Sequence, residues 1–291
     1  MAINAITQHM AWCEEHLVIG NALLLSLNVS SGCNMAEVAG RLCPGCAITQ
    51  RKERTTGQSL DGNDFVRAVQ ELATAQLSPT CGDFVGVSVC GDEPTWPESV
   101  FRTRTLPVFA MANAHNIRTS MVTNGFLLSR YAQEIALTET SVVVSLDGVG
   151  EANDRLRGRY DLVIKNLKES NGILGDLLLI GSVWYPGREK QLEEMLPVLL
   201  DLGIRRWIIS PFIDFTRNQV ADVTSDVVEK LDQLGRKCKK EGIEILFEYP
   251  NEAAFRFEYM RTVTPMRTVN LVRLSHDGTV GIGKSIFHEI D

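Results

Sequence analysis

Short apolar runs alternate with amphipathic segments along most of this chain. Runs of four to eight mostly apolar residues are typical of strands buried on both faces, whereas apolar residues spaced three and four apart are typical of helices. The first predicted strand begins at Leu23. The later ones are Phe84 to Val89, Arg118 to Val122, Ser141 to Ser145, Leu177 to Trp184, Arg206 to Ile209 and Ile243 to Phe247. The predicted helices between them are Asn63 to Ala75, Pro97 to His115, Tyr160 to Asn171, Glu189 to Leu202 and Ser225 to Glu241. The order indicates repeated βα units.

An α/β fold with a parallel sheet follows from this alternation. Nearly all-apolar strands joined by helical crossovers imply a sheet covered on its outer face, either an open doubly wound sheet or a closed or partial barrel. Both architectures place ligands at the carboxyl ends of the strands.

Polar residues follow four successive predicted strands at that end. They are Cys33 after the first strand, Gly91, Asp92, Glu93 and Pro94 after the second, Asn124 and Gly125 after the third, and Asp147 and Gly148 after the fourth. Because the carboxyl ends of parallel strands share one edge of the sheet, we expect these residues to converge on one site.

Past residue 250 the alternation stops. Val269 to Leu274 and Thr279 to Ile282 flank His276-Asp277-Gly278, which predicts a hairpin with an Asp-Gly turn. We therefore predict three segments: an N-terminal helical segment over 1–20, a main α/β domain over 21–250 and a small C-terminal cap with a hairpin over 251–291.

Composition favours one globular domain and restricts its partners. The 291 residues are 44% hydrophobic and 22% charged, and the formal net charge of -7 argues against a general nucleic-acid surface. No apolar run is long enough to span a bilayer and the first residues lack a signal-peptide pattern, so we expect a cytoplasmic protein with no membrane partner. Seven cysteines at uneven spacing in such a chain are expected to be reduced.

Three of those cysteines form a candidate metal site. Cys33, Cys43 and Cys46 lie on the segment that follows the first strand. A four-iron cluster held by three thiolates keeps one iron open for another ligand. The alternative is a zinc knuckle, because Cys43-Pro44-Gly45-Cys46 is a half-site for tetrahedral zinc. The next cysteines, Cys81 and Cys90, offer no second closely spaced pair, which weakens the zinc interpretation and leaves it open.

Taken in order from about Leu23 to Pro211, these motifs resemble the radical S-adenosylmethionine (SAM) superfamily. That family has a Cys-x3-Cys-x2-Cys cluster loop, and here nine residues separate Cys33 from Cys43, six more than in the family pattern. Cys90 to Pro94 resembles its Gly-Gly-Glu-Pro motif, with Asp92 in place of the second glycine. Thr123 to Gly125 and Ser145 to Gly148 resemble its Thr-Asn-Gly and Ser-x-Asp-Gly motifs, and Asn153 to Gly158 its His-Asp-x-x-Arg-Gly motif, with Asn153 where histidine is common.

The resemblance implies a partial (β/α)6 TIM-like barrel with a short N-terminal helix and a small C-terminal cap. It implies a [4Fe-4S] cluster on Cys33, Cys43 and Cys46, and SAM as cofactor. The predicted SAM contacts are Gly91, Asp92, Glu93, Pro94, Asn124, Ser145 and Arg157; Asp147 is expected to shape its loop.

By the same resemblance, the reduced cluster would cleave SAM to a 5'-deoxyadenosyl radical that abstracts hydrogen from a substrate, with flavodoxin or ferredoxin as the reductant. No cysteine follows Cys238, so the tail offers no auxiliary cluster to accept an electron. We therefore expect a rearrangement, elimination, epimerisation, carbon-carbon bond formation or adenosyl transfer on a small molecule. Aromatic residues on later strands and the tail, among them Trp184, Tyr185, Trp207, Phe212, Phe255 and Tyr259, are candidates for setting the substrate.

Two alternatives stay open at this stage. One is a radical SAM enzyme that modifies a peptide. The other is a protein with an iron-sulfur or zinc site that acts as a scaffold or an electron carrier without radical chemistry. The second would need no SAM pocket and would leave the polar residues at the strand ends without a common purpose.

Overall fold

The computed structural model describes residues 22–30, 32–41, 43, 60–75, 83–90, 92–214, 219–220, 224–247 and 266–288. The predicted N-terminal helical segment over 1–20 lies outside these residues, and so do Cys46 and Gly91. The boundaries proposed for the three segments therefore stay predictions.

Strands and helices alternate through the main part of the chain. The strands are β1 Ala22–Asn28, β2 Asp83–Val89, β3 Arg118–Thr123, β4 Ser141–Ser145, β5 Leu178–Trp184, β6 Arg206–Pro211, the short β7 Ile213–Asp214 and β8 Gln219–Val220, then β9 Glu244–Phe247, β10 Met266–Ser275 and β11 Val280–His288. The helices are α1 Met35–Ala39, α2 Gly62–Thr74, α3 Glu98–Val100, α4 Leu106–Ala114, α5 Leu128–Ala136, α6 Glu151–Leu156, α7 Tyr160–Leu174, α8 Glu189–Asp201 and α9 Ser225–Lys240. A π-helical turn, Phe101–Thr105, joins α3 to α4.

Nine strands form one sheet in the order β11-β10-β1-β2-β3-β4-β5-β6-β9, and β7 and β8 form a separate small ribbon. Within the nine-stranded sheet every neighbouring pair from β10 to β9 is parallel and the β10–β11 pair is antiparallel, and the small β7–β8 ribbon is antiparallel as well. Strands β1 to β6 follow the chain order, so each helical crossover moves the sheet on by one strand. This arrangement confirms the predicted α/β class and the partial barrel.

Helix α2 begins one residue before the predicted Asn63, at Gly62, and α9 begins at the predicted Ser225. Asp61 caps α2, with its Oδ1 accepting from the Asp64 N–H at 3.0 Å while the Asp64 carboxylate accepts from the Asp61 N–H at 3.0 Å. Thr224 caps α9 by accepting from the Val227 N–H. An oxygen at the cap position satisfies a backbone donor that the first turn leaves open, and this decides where each helix begins.

The two faces of the sheet differ in polarity. Leu23, Leu25 and Leu27 alternate toward the helices, where they are at most 2% exposed and pack in the same core as Phe65 and Val69 of α2. The opposite face, which we call the inner face, carries Ser26, Ser88, Ser120, Ser141 and Ser145 among the described residues. Successive side chains along a strand point to opposite faces, so this division follows from the two-residue period of the sequence.

The predicted C-terminal hairpin is present and joins the main sheet. Its turn contains Asp277 and Gly278, with Gly278 at φ 77° and the Asp277 carboxylate accepting from the Thr279 N–H at 3.0 Å. The whole of strand β1 pairs in parallel with the part of β10 from Val269 to Ser275. Among the described residues, no helix combines the length and apolar character that crossing a membrane requires.

Candidate functional site

The predicted site residues that the structure describes lie at the carboxyl ends of the strands. Cys33 follows β1, Glu93 follows β2, Asn124 follows β3, Ser145 ends β4, and Arg157 follows α6. Cys43 is described as well, whereas the predicted ligands Cys46 and Gly91 are outside the described residues.

Cys33 is held close to the ends of β2 and β3. The Glu93 N–H donates to the carbonyl of Gly32 at 3.0 Å, and a side chain on Gly32 would contact the Trp96 ring at 3.0 Å, so this approach is tight. Burial, together with the charges of Glu93 and Cys43, raises the pKa of the Cys33 thiol to about 12, against the opposing hydrogen bonds from Met35 and Asn124. Without a bound cation this sulfur stays a protonated thiol, since a coordinated metal is what deprotonates such a group.

Glu93 connects the loops after β2 and β3 through its carboxylate. Its Oε1 accepts from the Thr95 N–H at 3.1 Å, from the Thr95 hydroxyl at 2.5 Å and from the Thr123 hydroxyl at 2.7 Å, and its Oε2 accepts from the Asn124 N–H at 2.8 Å. The side chain is buried. Burial raises the pKa of the Glu93 carboxyl, and the hydrogen bonds from Asn124, Thr95 and Thr123 oppose that shift. We call Glu93 with its partners Thr95, Thr123 and Asn124 the carboxyl clamp.

The clamp orients the Asn124 side chain toward the cysteine loop. Asn124 Nδ2 donates to Asn34 Oδ1 at 2.7 Å and lies 3.6 Å from the Cys33 sulfur, while its Oδ1 accepts from the Phe126 N–H at 3.0 Å. Gly125 follows in the left-handed region at φ 79°, and a side chain there would lie 2.8 Å from Val144. Glycine is therefore required for this turn.

Asn34 is a site residue that the sequence analysis did not single out. It is 2% exposed and follows Cys33 directly, and its oxygen receives the Asn124 amide. The feature of the sequence that could have identified Asn34 was its position directly after Cys33.

Arg157 and Asp147 form an ion pair beside this cluster. Arg157 Nε donates to Asp147 Oδ2 at 2.5 Å, and the side chains are 25% and 1% exposed, respectively. Asp147 Oδ1 also accepts from the Val183 N–H at 2.7 Å, and the Asp147 N–H donates to Asn153. Asp147 thus ties the end of β4 to β5 and orients Arg157, which agrees with the loop-shaping role expected for it.

The field of Asp147 keeps Arg157 charged. Burial alone would lower the pKa of Arg157, but the charge of Asp147 and the hydrogen bond to it raise that pKa above its ordinary value, with further contributions from Cys43 and Tyr185. Since the charge of Cys43 acts on both Arg157 and Cys33, the cysteine loop and the arginine share one electrostatic environment.

A stacked aromatic pair lies at the carboxyl ends of β5 and β6. The rings of Tyr185 and Phe212, which follow β5 and β6, stack with centroids 4.8 Å apart, and the Arg188 guanidinium lies 5.2 Å from the Tyr185 ring centre. Burial raises the pKa of Tyr185, as does the charge of Asp147. By contrast, Trp184 and Trp207 are at most 1% exposed within the core on the helix-covered side, and the other tail candidates, Phe255 and Tyr259, are outside the described residues.

The donor set fits a thiolate-bound metal centre as far as it is described. Cys33 and Cys43 are not in a disulfide bond, and both are partly exposed. Within the described ranges alone, which exclude Cys46, no group of three or more His, Cys, Asp or Glu side chains is arranged to hold a metal ion. Two soft sulfur ligands close to a cationic arginine are suited to iron-sulfur or zinc ligation, and the third ligand of the predicted set lies outside the described part.

No protein-family model matches this sequence, and no curated protein matches it. Solved structures do match. The chain aligns over 95% of its length with Streptococcus suis SuiB bound to S-adenosylmethionine, at a TM-score of 0.68 and 17% identity. The two share a fold. The chain spans 64% of the length of that SuiB structure.

Two further structures resemble this SuiB-like fold. Native anSMEcpe with bound AdoMet and Cp18Cys peptide aligns with 77% of the chain and 63% of its own, at a TM-score of 0.56 and 16% identity. Methylornithine synthase (PylB) aligns with 82% of the chain and 68% of its own, at a TM-score of 0.53 and 10% identity. These likenesses confirm the predicted partial barrel.

Proposed function

We propose that this protein is a radical SAM enzyme. In this proposal Cys33, Cys43 and Cys46 hold a [4Fe-4S] cluster, and SAM binds at the adjoining strand ends. One observation carries the proposal: the carboxyl clamp and the Asp147–Arg157 pair bring three separate strand ends to the cysteine loop, with the Asn124 amide 3.6 Å from the Cys33 sulfur. The fold shared with SuiB, anSMEcpe and PylB supports it.

Each described residue has a role within this proposal. Arg157, fixed by Asp147 through Nε, directs the rest of its guanidinium at the SAM carboxylate or ribose, a geometry suited to oxyanions. Ser145, at the end of β4, adds a hydroxyl near the same group, and the backbone of Gly91 to Pro94 receives the SAM amino group. Asn124 steadies Cys33, and the Glu93 carboxylate holds Asn124.

When bound by these residues, the cluster and SAM would supply radical chemistry that removes a hydrogen atom from the substrate. The protein's own contribution is to fix SAM in one orientation, place the substrate beside it and exclude water. We further propose a flavodoxin or ferredoxin as the reductant and the cytoplasm as the location.

Two classes of substrate are proposed. One class is a small molecule, and PylB, a methylornithine synthase, shares the fold. A peptide substrate is equally supported, because SuiB was crystallised bound to its precursor peptide SuiA and anSMEcpe with the Cp18Cys peptide.

Anaerobic reconstitution tests the proposal. Wild type should take up about four irons per chain and form 5'-deoxyadenosine from SAM when dithionite is added. A Cys33→Ala/Cys43→Ala/Cys46→Ala variant should lose both properties. Cys238→Ala, which removes a buried cysteine of α9, is the matched control and should keep them. Zinc in place of iron, or a cluster that leaves SAM intact, would favour the scaffold or electron-carrier alternative.

A further inference from the structure

Four serines lie in one row across the inner face of the sheet. Ser26 of β1 pairs with Ser88 of β2, Ser88 with Ser120 of β3, and Ser120 with Ser141 of β4. Paired residues of parallel strands present their side chains on the same face. Residues that line a parallel sheet are usually bulky and apolar, so a row of hydroxyls is unusual there. The Ser26 hydroxyl is buried and lies 3.1 Å from the Cys90 sulfur, whereas Ser88, Ser120 and Ser141 are partly exposed and accessible to a polar ligand.

Asn28 provides an independent indication of a ligand next to this serine row. It lies two residues after Ser26 on the inner face and is 3% exposed. Within the described part of the chain, neither Oδ1 nor Nδ2 of its amide has a hydrogen-bond partner. Buried amide groups in native proteins are nearly always paired, so a bound molecule that offers both a donor and an acceptor is the natural partner.

Arg273 brings a positive charge to the same surface from the C-terminal hairpin. It pairs with Ser26 across the β10–β1 interface, which places it on the inner face, and its side chain is exposed. Its Cα is roughly 8 Å from that of Asn28, given the spacing of parallel strands and of residues along them. No ion pair joins Arg273 to another described residue. An exposed guanidinium that forms no ion pair within the described part of the chain is suited to binding a carboxylate through two parallel hydrogen bonds.

We propose that Arg273, Asn28 and the serine row bind a carboxylate-bearing substrate, with Arg273 recognising the carboxylate and Asn28 an adjacent polar group. This inference rests on the proposed function, because it names the substrate class of the same barrel. The carboxylate belongs either to a free amino acid or to an acidic side chain of a peptide. The hairpin thereby contributes a specificity-determining residue to a surface otherwise built from βα units.

Isothermal titration on the full-length chain tests this assignment with four probes. They are L-glutamate, L-glutamine and the capped tripeptides acetyl-Gly-Glu-Gly-amide and acetyl-Gly-Gln-Gly-amide. Each is titrated into the anaerobically reconstituted protein with SAM and into the metal-free protein. The metal-free arm does not depend on cluster chemistry, so failure of the radical assignment and failure of carboxylate recognition are separately visible.

We expect one glutamate probe to bind more tightly than its glutamine partner. R273Q should weaken that binding by about 10- to 100-fold, the range for a hydrogen bond to a charged group, and should abolish the preference. R67Q, which removes an exposed arginine from α2, is the matched control and should leave it unchanged. Asn28→Ala should weaken the binding of both probes of the preferred pair.

Tighter binding of free glutamate identifies a small-molecule substrate, and tighter binding of the glutamate tripeptide identifies a peptide substrate. No carboxylate preference in either form of wild type, or a preference that survives in R273Q, would overturn the proposal.

Discussion

Replacing Glu93 by glutamine tests whether the carboxyl clamp stabilises the fold as its geometry indicates. The two carboxylate oxygens accept from different backbone donors, Oε1 from the Thr95 N–H and Oε2 from the Asn124 N–H. Whichever way the glutamine amide is turned, its NH2 group meets a backbone N–H. A protonated carboxyl would still offer a lone pair on each oxygen, so the argument holds for either protonation state of Glu93.

The magnitude follows from the number of donors left unpaired. Glu93 is 2% exposed, so water cannot replace the lost acceptor. Two buried donors facing one another, at about 1–3 kcal/mol each, lower the free energy of unfolding of E93Q by about 2–6 kcal/mol. E229Q alters an exposed glutamate of α9 and should stay within about 0.5 kcal/mol of wild type.

Urea unfolding of the metal-free protein, followed by circular dichroism and tryptophan fluorescence, measures this difference. The two signals also report whether unfolding is a single transition, which the conversion to free energy requires. If E93Q unfolds at the same urea concentration as E229Q, the carboxyl clamp does not stabilise the fold and the hydrogen-bond argument is wrong.

Three further changes test other parts of the site. R157Q leaves the buried Asp147 carboxylate without its cation and should lower the free energy of unfolding by about 2–3 kcal/mol. This is less than the loss for a fully buried ion pair, because the Arg157 side chain is partly exposed. An unchanged urea midpoint would contradict this prediction. Asn124→Asp keeps the oxygen that accepts from the Phe126 N–H but puts an anion 3.6 Å from the Cys33 sulfur. The reconstituted variant should therefore retain less iron than wild type. Equal iron retention would refute the role of Asn124 in holding Cys33. Burial opposes the ionisation of Asp277, but hydrogen bonds from Thr279 outweigh this effect and lower the Asp277 pKa below 3.8. The stability that ionised Asp277 contributes is therefore present above pH 3.8 and is lost as the pH falls through the lowered pKa. Asp277→Asn should therefore show a flatter decline of the thermal midpoint below pH 3.8, and a decline as steep as wild type would count against this linkage.

Much of the sheet could be predicted because its signal is local. Strands β2, β4, β5 and β6 are mostly apolar runs, the β3 segment contains the apolar pair Met121-Val122, and chain order alone places their ends together. The pairing of β10 with β1 was not predictable in this way, since periodicity carries no information on which distant strand becomes a neighbour. For the same reason, Arg273 was not a candidate site residue until the register placed it beside Ser26.

Within the site, the sequence located residues better than it assigned their contacts. Glu93 and Asn124 were expected at the strand ends and lie there, but the pattern gave no sign that the Glu93 carboxylate would be occupied by four donors from its own chain. Side-chain direction depends on the loop conformation, which is set by neighbours such as Thr123 and Gly125. The SAM contacts therefore stay predictions, to be tested by the substitutions above.

The parallel pairing of β10 with β1 also affects the order in which the chain assembles during synthesis. Strand β1 emerges from the ribosome before strands β2 to β9, yet one of its two neighbours, Met266–Ser275, is made only after all of them. Until then, β1 has an open edge, which is a template for association with other chains. The strand that leads into the cysteine loop thus keeps one unpaired edge until β10 has been made, and nascent chains arrested before residue 266 should aggregate more readily than chains that include the hairpin.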